Sequence, residues 1–362
     1  MVGPALWGEP AARWSDERDD TLVCVAVRDE THDVRTFHFR PAAPALFRFR
    51  PGQFLTFDFE IGGETINRCY TISSPPTRPD TISITVKRHP GGQVSNWLHD
   101  TMRPGMNVKA LGPSGEFCHT LKPAEKYLFL SGGSGITPLM SMARTHYDLG
   151  ADADIVFVHS ARTPADIIFR DELGIMARAL PGFKPLFVVD KPDEAGAWTG
   201  PMGFLTLQTL RGLTRDFAQR EIYCCGPAPY MANVRQILDG IGFDRAHYHE
   251  ESFSFDAAPA EAAAAAPLAA SDAAVESYKI EFSKLGRTIE CRADQFILDA
   301  AKETGLRLPF ACTKGVCGTC KTKKLSGEIE MKHGGGIRQR EIDQGMVLVC
   351  CGKPKSDVVL ER

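Results

Sequence analysis

The stretch ACTKGVCGTC, residues 311–320, sets three cysteines among small residues near the end of a 362-residue chain. Cys312, Cys317 and Cys320 are spaced C-x4-C-x2-C; Cys350 follows after twenty-nine residues, with Cys351 beside it. The chain holds eleven cysteines in all. Its opening, MVGPALWGEPAARWSDERDD, has no apolar run after basic residues, so no export signal is read there and a cytoplasmic location is expected. That compartment keeps thiols reduced, which argues against a disulfide framework.

Thiolate sulfur suits both zinc and iron–sulfur clusters. Zinc usually takes two separated C-x2-C pairs, and only Cys317 and Cys320 form one. Cys350 and Cys351 are adjacent, and neighbouring side chains seldom converge on one tetrahedral ion. The overall spacing is that of plant-type [2Fe–2S] ligation, with Cys350 as the fourth ligand and Cys351 as the alternative. Gly315 and Gly318 agree, because a loop around a cluster needs unusual backbone angles and close N–H approach to sulfur.

Working outward, the cysteine loop belongs to a unit that reads as a hairpin (YKIEF, RTIEC), a helix (QFILDAAKETG), the loop and two more strands: an α+β, β-grasp ferredoxin domain over 277–362. Before it, DAAPAEAAAAAPLAASDAAVE (256–276) lacks aromatic residues, and Pro259 and Pro267 interrupt any alanine helix. It reads as a coil linker with a typical end-to-end distance on the order of 25 Å.

The preceding body changes character near residue 120. In GQFLTFDF, Leu55, Phe57 and Phe59 share one face; in TISITVKR, Ile82, Ile84 and Val86 alternate with Ser83, Thr85 and Lys87. This predicts an antiparallel β-barrel over 20–122. After it, KYLFLSGG, DIVFVHS, KPLFVVD and REIYCCGP alternate with helical segments, the rhythm of a parallel-sheet α/β domain over 123–255. The chain is therefore read as multidomain, as its length requires. A formal charge of −3 gives no footprint for nucleic acid or an anionic membrane, and no apolar run is long enough to span a bilayer.

Three further segments carry chemistry. In RCYTISS (68–74) an arginine, an aromatic ring and hydroxyls stand in a row: Arg68 for phosphate, Tyr70 for a flat ring, Thr71 or Ser73 as hydrogen-bond partners. In VKRHPGGQVSNWL (86–98), Gly91, Gly92, Val94 and Ser95 offer amides and a hydroxyl to a pyrophosphate at a helix start. LSGGSGITPLMSMA (130–143) lacks the G-x-G-x-x-G fingerprint, yet Gly132, Gly133 and Gly135 admit a close ligand, and Thr137 with Pro138 marks a helix start. YCCGPAPYM (223–231) sets Cys225, Gly226 and Pro227 at the carboxyl edge of the sheet, where ligands of such sheets bind.

RCYTISS, GGQVSNWL, GGSGITP and CCGP, in that order, resemble the ferredoxin–NADP reductase superfamily. With the C-terminal cysteine loop the chain is similar to reductase components of Rieske-type oxygenase systems, and to the reductase that serves hybrid-cluster protein. The resemblance covers 20–255 and 277–362. It implies FAD, or FMN as in one sub-branch, on Arg68, Cys69, Tyr70, Thr71, Ser73, Val86, Lys87, Gly92 and Ser95. It implies a nicotinamide nucleotide over Gly132, Gly133, Gly135 and Thr137, with Cys225, Gly226 and Pro227 near its reactive ring. In HEESF (249–253), Glu251 and Phe253 match an H-x-E-x-F ending that lies near the flavin; Thr71 stands where serine is commoner. Thr71, Cys225, Glu251 and Phe253 are thus the residues expected around the reacting rings.

The resemblance implies electron flow from a nicotinamide, which gives two electrons at once, through flavin to a [2Fe–2S] cluster, which takes one. The expected partner is a terminal oxygenase that demethylates a quaternary ammonium compound such as glycine betaine, carnitine or stachydrine. Hybrid-cluster protein is the alternative, and a non-catalytic redox-sensing or electron-transfer subunit the reading from another class. Ser160 and Arg162 in HSARTPADIIFRDEL (159–173) are placed to meet the 2′-phosphate of NADPH, but resemblance to NADH-using reductases favours NADH. The linker is expected to let the ferredoxin domain swing, so deleting 258–272 is expected to slow partner reduction.

Overall fold

The structure is a computed structural model that describes residues 12–192, 198–253, 276–306, 308, 310 and 313–362. The linker up to residue 275 and Cys312 lie outside the described residues. The chain divides into two compact units, the first made of the residues up to Phe253 other than Asn67–Cys69.

The first unit opens with six strands, β1 (Thr21–Thr31), β2 (Val34–Pro41), β3 (Phe54–Ile61), β4 (Glu64–Thr71), β5 (Ile82–Lys87) and β6 (Asn107–Ser114), with helix α1 (Gln93–Thr101) before β6. Their order is β4-β3-β6-β1-β2-β5, and an antiparallel bridge between Ile72 and Ile84 joins the two ends into a barrel. Leu55, Phe57, Phe59, Ile82, Ile84 and Val86 fill the interior as the alternation predicts. Ser83 and Thr85 do not face water as their polarity implied. Closure at Ile72 buries them, and the Ser73 hydroxyl meets both, at 3.0 and 2.9 Å, while Thr36 meets Thr85 at 2.9 Å. Buried hydroxyls are tolerated where they satisfy one another.

The rest of the unit is a parallel sheet of β7 (Lys126–Gly132), β8 (Asp154–Ala161), β9 (Phe183–Val189), β10 (Glu221–Cys225) and β11 (Tyr248–Glu251), ordered β11-β10-β7-β8-β9. Helices α2 (Ile136–Leu149), α3 (Arg170–Ala179), α4 (Leu207–Leu213) and α5 (Ala228–Asp239) accompany it. Separate apolar clusters pack on its two faces, so strand side chains are apolar in both directions.

The second unit is α+β. Strands β12 (Ser277–Phe282) and β13 (Arg287–Arg292) form the expected hairpin, followed by α6 (Ile297–Glu303). After the cysteine loop come β14 (Lys321–Ser326), β15 (Ile329–Met331), helix α7 (Gln339–Asp343), β16 (Met346–Leu348), β17 (Gly352–Pro354) and β18 (Val358–Glu361). The reading of two late strands was short of these five: three of them have three residues each, too few to show a period. The main sheet runs β13-β12-β18-β14-β16, with β12 and β18 parallel.

Candidate redox site

On β4 successive side chains alternate, so Arg68 and Tyr70 share one face and Cys69 and Thr71 the other. The Tyr70 ring meets Phe57 and Phe59 edge-on, each with centroids 6.2 Å away, and Phe59 packs on Trp97 of α1 at 5.7 Å. These contacts fix the ring of a half-buried tyrosine from behind. Arg68 lies beside it, donating to the Asn67 carbonyl at 2.8 Å.

Helix α1 begins at Gly92 with no side chain capping it. The Ser95 hydroxyl instead accepts from the His89 amide at 3.2 Å, and a β-carbon on Gly92 would stand 2.6 Å from it. Gly91 takes φ +73° to bring the chain into this turn. The first-turn amides, Val94 and Ser95 among them, are thus presented at a positive helix end. A pyrophosphate fits that donor set, and Tyr70 with Arg68 fits a flavin.

Two residues expected on the flavin have their side chains spent elsewhere. Ser73 is fully buried in the hydroxyl chain of the barrel wall, and the Lys87 ammonium pairs with Asp33 at 3.3 Å. Val86 is a core residue; its carbonyl meets His99 Nε2 at 2.9 Å.

At the carboxyl edge of the parallel sheet, the turns after β7 and β10 touch backbone to backbone. A β-carbon on Gly226 would stand 2.8 Å from Tyr230 Cδ1 and 3.1 Å from the Gly132 nitrogen; one on Gly132 would meet Tyr230 and Pro227 at 3.1 and 3.2 Å. Gly133 is left-handed, φ +52°, with open space over it. Thr137 donates to the Ser134 carbonyl at 3.2 Å, and Pro138 sits in the first turn of α2, where its missing N–H costs nothing. The result is a bare, open ledge above the amide end of α2.

Cys225 ends β10 and stands in register with Glu251 of β11. Burial first, and the Glu251 charge second, push the Cys225 thiol well above its ordinary pKa. It is a small neutral group and not a thiolate nucleophile. Phe253 packs on the same apolar cluster as Cys225.

Sequence reasoning missed three participants. Tyr230 fills the space that Gly132 and Gly226 leave. His159 lies fully buried under the ledge with Nδ1 2.8 Å from Ser131 Oγ, and burial, with a smaller push from Lys87, holds it at a pKa of about 3. Asp33, at the β1–β2 turn, accepts from Arg162 at 2.8 Å, and Arg162 also donates to Asp166 at 3.0 Å. Long-range pairing of this kind leaves no mark in the sequence. Ser160, in register with Gly132, is at the ledge; Arg162 is drawn away to its two carboxylates. A cavity of 490 Å³ lined by Lys126, Arg220, Glu221 and His247 opens at the opposite, amino edge of the sheet, the wrong edge for a nucleotide.

In the second unit, β14 pairs antiparallel with β16, Lys321 opposite Leu348. Cys320 precedes Lys321 and Cys350 follows Leu348 by two, so this register brings them to the same end of the sheet. Thr313, Gly315 and Gly318 are all left-handed, at φ +55°, +68° and +71°. Cys317, Cys320, Cys350 and Cys351 are buried. A β-carbon on Gly315 would lie 2.7 Å from Cys351 Sγ, so that sulfur packs on the loop backbone. A buried all-sulfur set held by a left-handed loop fits a [2Fe–2S] cluster.

Three family models match: an oxidoreductase FAD-binding domain over residues 22–119, an oxidoreductase NAD-binding domain over 129–236 and a 2Fe-2S iron-sulfur cluster binding domain over 280–355. The chain binds FAD, a nicotinamide nucleotide and a [2Fe–2S] cluster. It is 46% identical to the glycine betaine monooxygenase reductase subunit of Pseudomonas aeruginosa, over 96% of each chain. It is 40% identical to the stachydrine N-demethylase reductase subunit of Rhizobium meliloti, over 96% of this chain and 97% of that one. The fold is that of phthalate dioxygenase reductase, with a TM-score of 0.57 and 24% identity over 96% of this chain and all of the other. No helix among the described residues is long and apolar enough to cross a membrane.

Proposed function

Since the chain belongs to the family of flavin and [2Fe–2S] reductase subunits of oxygenase systems, we propose that it supplies electrons from NADH to a terminal oxygenase that demethylates a quaternary ammonium compound of the glycine betaine or stachydrine kind. The observation that carries this reading is 46% identity spread over 96% of both chains, all three domains in the same order.

When bound, FAD exchanges a two-electron donor for a one-electron acceptor, and the cluster is the one-electron outlet. The chain's own residues do the holding. Arg68 and the first turn of α1 take the flavin's phosphates, and Tyr70 backs its ring. Gly132, Gly135 and Gly226 let the two turns close on each other, Gly133 leaves the ledge over them bare, and these residues would hold the nicotinamide nucleotide near neutral Cys225. His159, fully buried against Ser131, stays uncharged and adds no positive charge to the strands behind the ledge. Cys312, Cys317, Cys320 and Cys350 ligate the cluster. We read the coenzyme as NADH because the Arg162 guanidinium, the group that would meet an added phosphate, is engaged by Asp33 and Asp166.

The test mixes the holoprotein with its purified terminal oxygenase, NADH and each candidate amine, and follows formaldehyde released by demethylation. Substrate-dependent formaldehyde, faster with NADH than NADPH, supports the reading. Rapid NADH oxidation with an artificial acceptor but none coupled to a demethylating oxygenase overturns it.

A further inference from the structure

The ferredoxin unit carries a charge opposite to the rest of the chain. Residues 277–362 hold sixteen Lys and Arg against eleven Asp and Glu, a formal +5, whereas the whole chain is −3, which leaves −8 on residues 1–276. Part of this positive charge is placed at the cluster loop by a glycine strap.

The strap is Lys332-His333-Gly334-Gly335-Gly336-Ile337-Arg338, between β15 and α7. The amides of Gly334 and Gly336 both donate to the Gly315 carbonyl, at 3.0 and 2.9 Å. A β-carbon on Gly336 would stand 2.7 Å from the Gly315 oxygen and 2.8 Å from the Gly318 nitrogen, so only glycine lets the strap lie on the loop that carries Cys317 and Cys320. Its far end is anchored: Ile337 and Arg338 are each 3% exposed, and Glu341 accepts from Lys321 at 2.7 Å and from Arg338 at 3.5 Å. Its near end faces solvent. The Lys332 side chain is 89% exposed, His333 is exposed, and the His333 Cα lies 3.0 Å from where a Gly315 β-carbon would be. Lys314, on the loop itself, is exposed as well. Glu341 is the buried anchor, and Glu330 pairs closely with Lys355 at 2.8 Å while lying 3.9 Å from Lys332.

We propose that Lys314, Lys332 and His333 form the electron-exit face, and that it docks an acidic patch on the protein that accepts the electron. The proposal rests on the reductase reading above and names the chemistry of the partner's surface. One electron leaves the reduced cluster and one metal centre of the acceptor is reduced by one; no bond or proton is exchanged. Complementary charge of this kind raises encounter rates and is lost as salt screens it.

The experiment uses the full-length holoprotein and Lys314→Glu/Lys332→Glu, both exposed positions, with visible absorption of the cluster as the check on folding. Each protein is reduced photochemically and mixed with acidic cytochrome b5 or basic cytochrome c at low and high ionic strength. Because no NADH is involved, a failure of the NADH reaction counts against the reductase reading alone. The wild type reduces the acidic cytochrome faster at low salt, and the double variant loses about tenfold of that rate and gains on the basic one. Calorimetry, which needs no electron transfer, shows the oxidised variant binding cytochrome b5 more weakly. Equal rates and equal affinity for wild type and variant at low salt would overturn the proposal.

Discussion

A β-carbon on Gly135 would lie 2.3 Å from the carbonyl oxygen of Cys225 and 2.6 Å from the amide nitrogen of Gly226. The turns after β7 and β10 therefore approach as closely as glycine permits. Gly135→Ala is expected to push them apart, at about 1–3 kcal/mol of stability. It is also expected to raise the KM for NADH about tenfold or more, since ångström displacements at a reacting centre cost about that much or more. Gly150→Ala, at the far end of α2 from the ledge, is the control: its β-carbon meets nothing within 4 Å, and only the left-handed backbone opposes it, at about 1 kcal/mol. NADH titration of flavin reduction and a melting curve check both. Equal effects of the two variants would show that the close approach is unimportant.

Periodicity made the architecture legible, because Leu55, Phe57 and Phe59 on one strand and the doubly apolar β7 and β10 state their surroundings locally. Spacing alone pointed to Cys350 over Cys351; the Lys321–Leu348 register brings both of them to the Cys320 end of a sheet, a placement the sequence did not show. Burial of Ser83 and Thr85 was illegible because it depends on barrel closure at Ile72–Ile84. The pull of Asp33 on Arg162 was illegible for the same reason: the two are 129 residues apart and meet only through tertiary packing. Polar residues whose partners are distant look like surface until the fold is closed.

Arg144 of α2 joins the barrel to the nucleotide half of the first unit. It donates to the Ser73 carbonyl at 2.6 Å and to both Glu172 oxygens at 2.7 and 2.8 Å, and its guanidinium lies 4.5 Å over the Phe169 ring. Burial works to raise the Glu172 carboxyl, and the hydrogen bonds and charge of Arg144, helped by Arg28 and Arg78, outweigh it and hold it below the usual range. Arg144→Leu leaves that carboxylate without its main partner and is expected to destabilise by about 3 kcal/mol. Adding Glu172→Leu recovers much of the loss, while Arg144→Lys, unable to form the two-pronged contact, recovers little. Denaturant unfolding followed by flavin release measures all three. A double variant as unstable as Arg144→Leu would refute the pairing argument.

His119 and His146 form a buried pair with ring centroids 4.7 Å apart, enclosed by Tyr127 and Phe129. Among the described residues, His119 Nδ1 and His146 Nε2 have no hydrogen-bond partner. Burial, and then the charge of His146, pushes His119 down to about 3, and burial alone lowers His146. Both are neutral in the fold, whereas in the unfolded chain they take up protons below about pH 6.5. The unfolded state thus binds more protons between pH 6.5 and about 3, and stability falls as pH drops through that window. Each histidine contributes a slope of up to about 1.4 kcal/mol per pH unit. His119→Phe is expected to flatten the curve between roughly pH 6 and 4.5, above the range where most carboxylates titrate. Unfolding free energies across that range test this; an unchanged slope would clear the pair of any role.

The two adjacent thiols near the end of the chain are expected to behave differently. Cys350 lies one residue beyond Val349, past the strand end that pairs with the Cys320 side of β14, and it is the residue proposed above as the fourth ligand. Cys351 turns its sulfur to the Gly315 backbone, where a small apolar group packs as well. Cys351→Ala should therefore keep the iron and sulfide content and the visible spectrum of the wild type. Cys350→Ala should lose most of both, and because thiolate ligation contributes to folding of the loop, it should also lower the melting temperature of the ferredoxin unit. Iron analysis and absorption after anaerobic purification decide the matter. If Cys351→Ala is the colourless variant and Cys350→Ala keeps its cluster, the ligand assignment moves by one residue, and the packing role of the second sulfur moves with it.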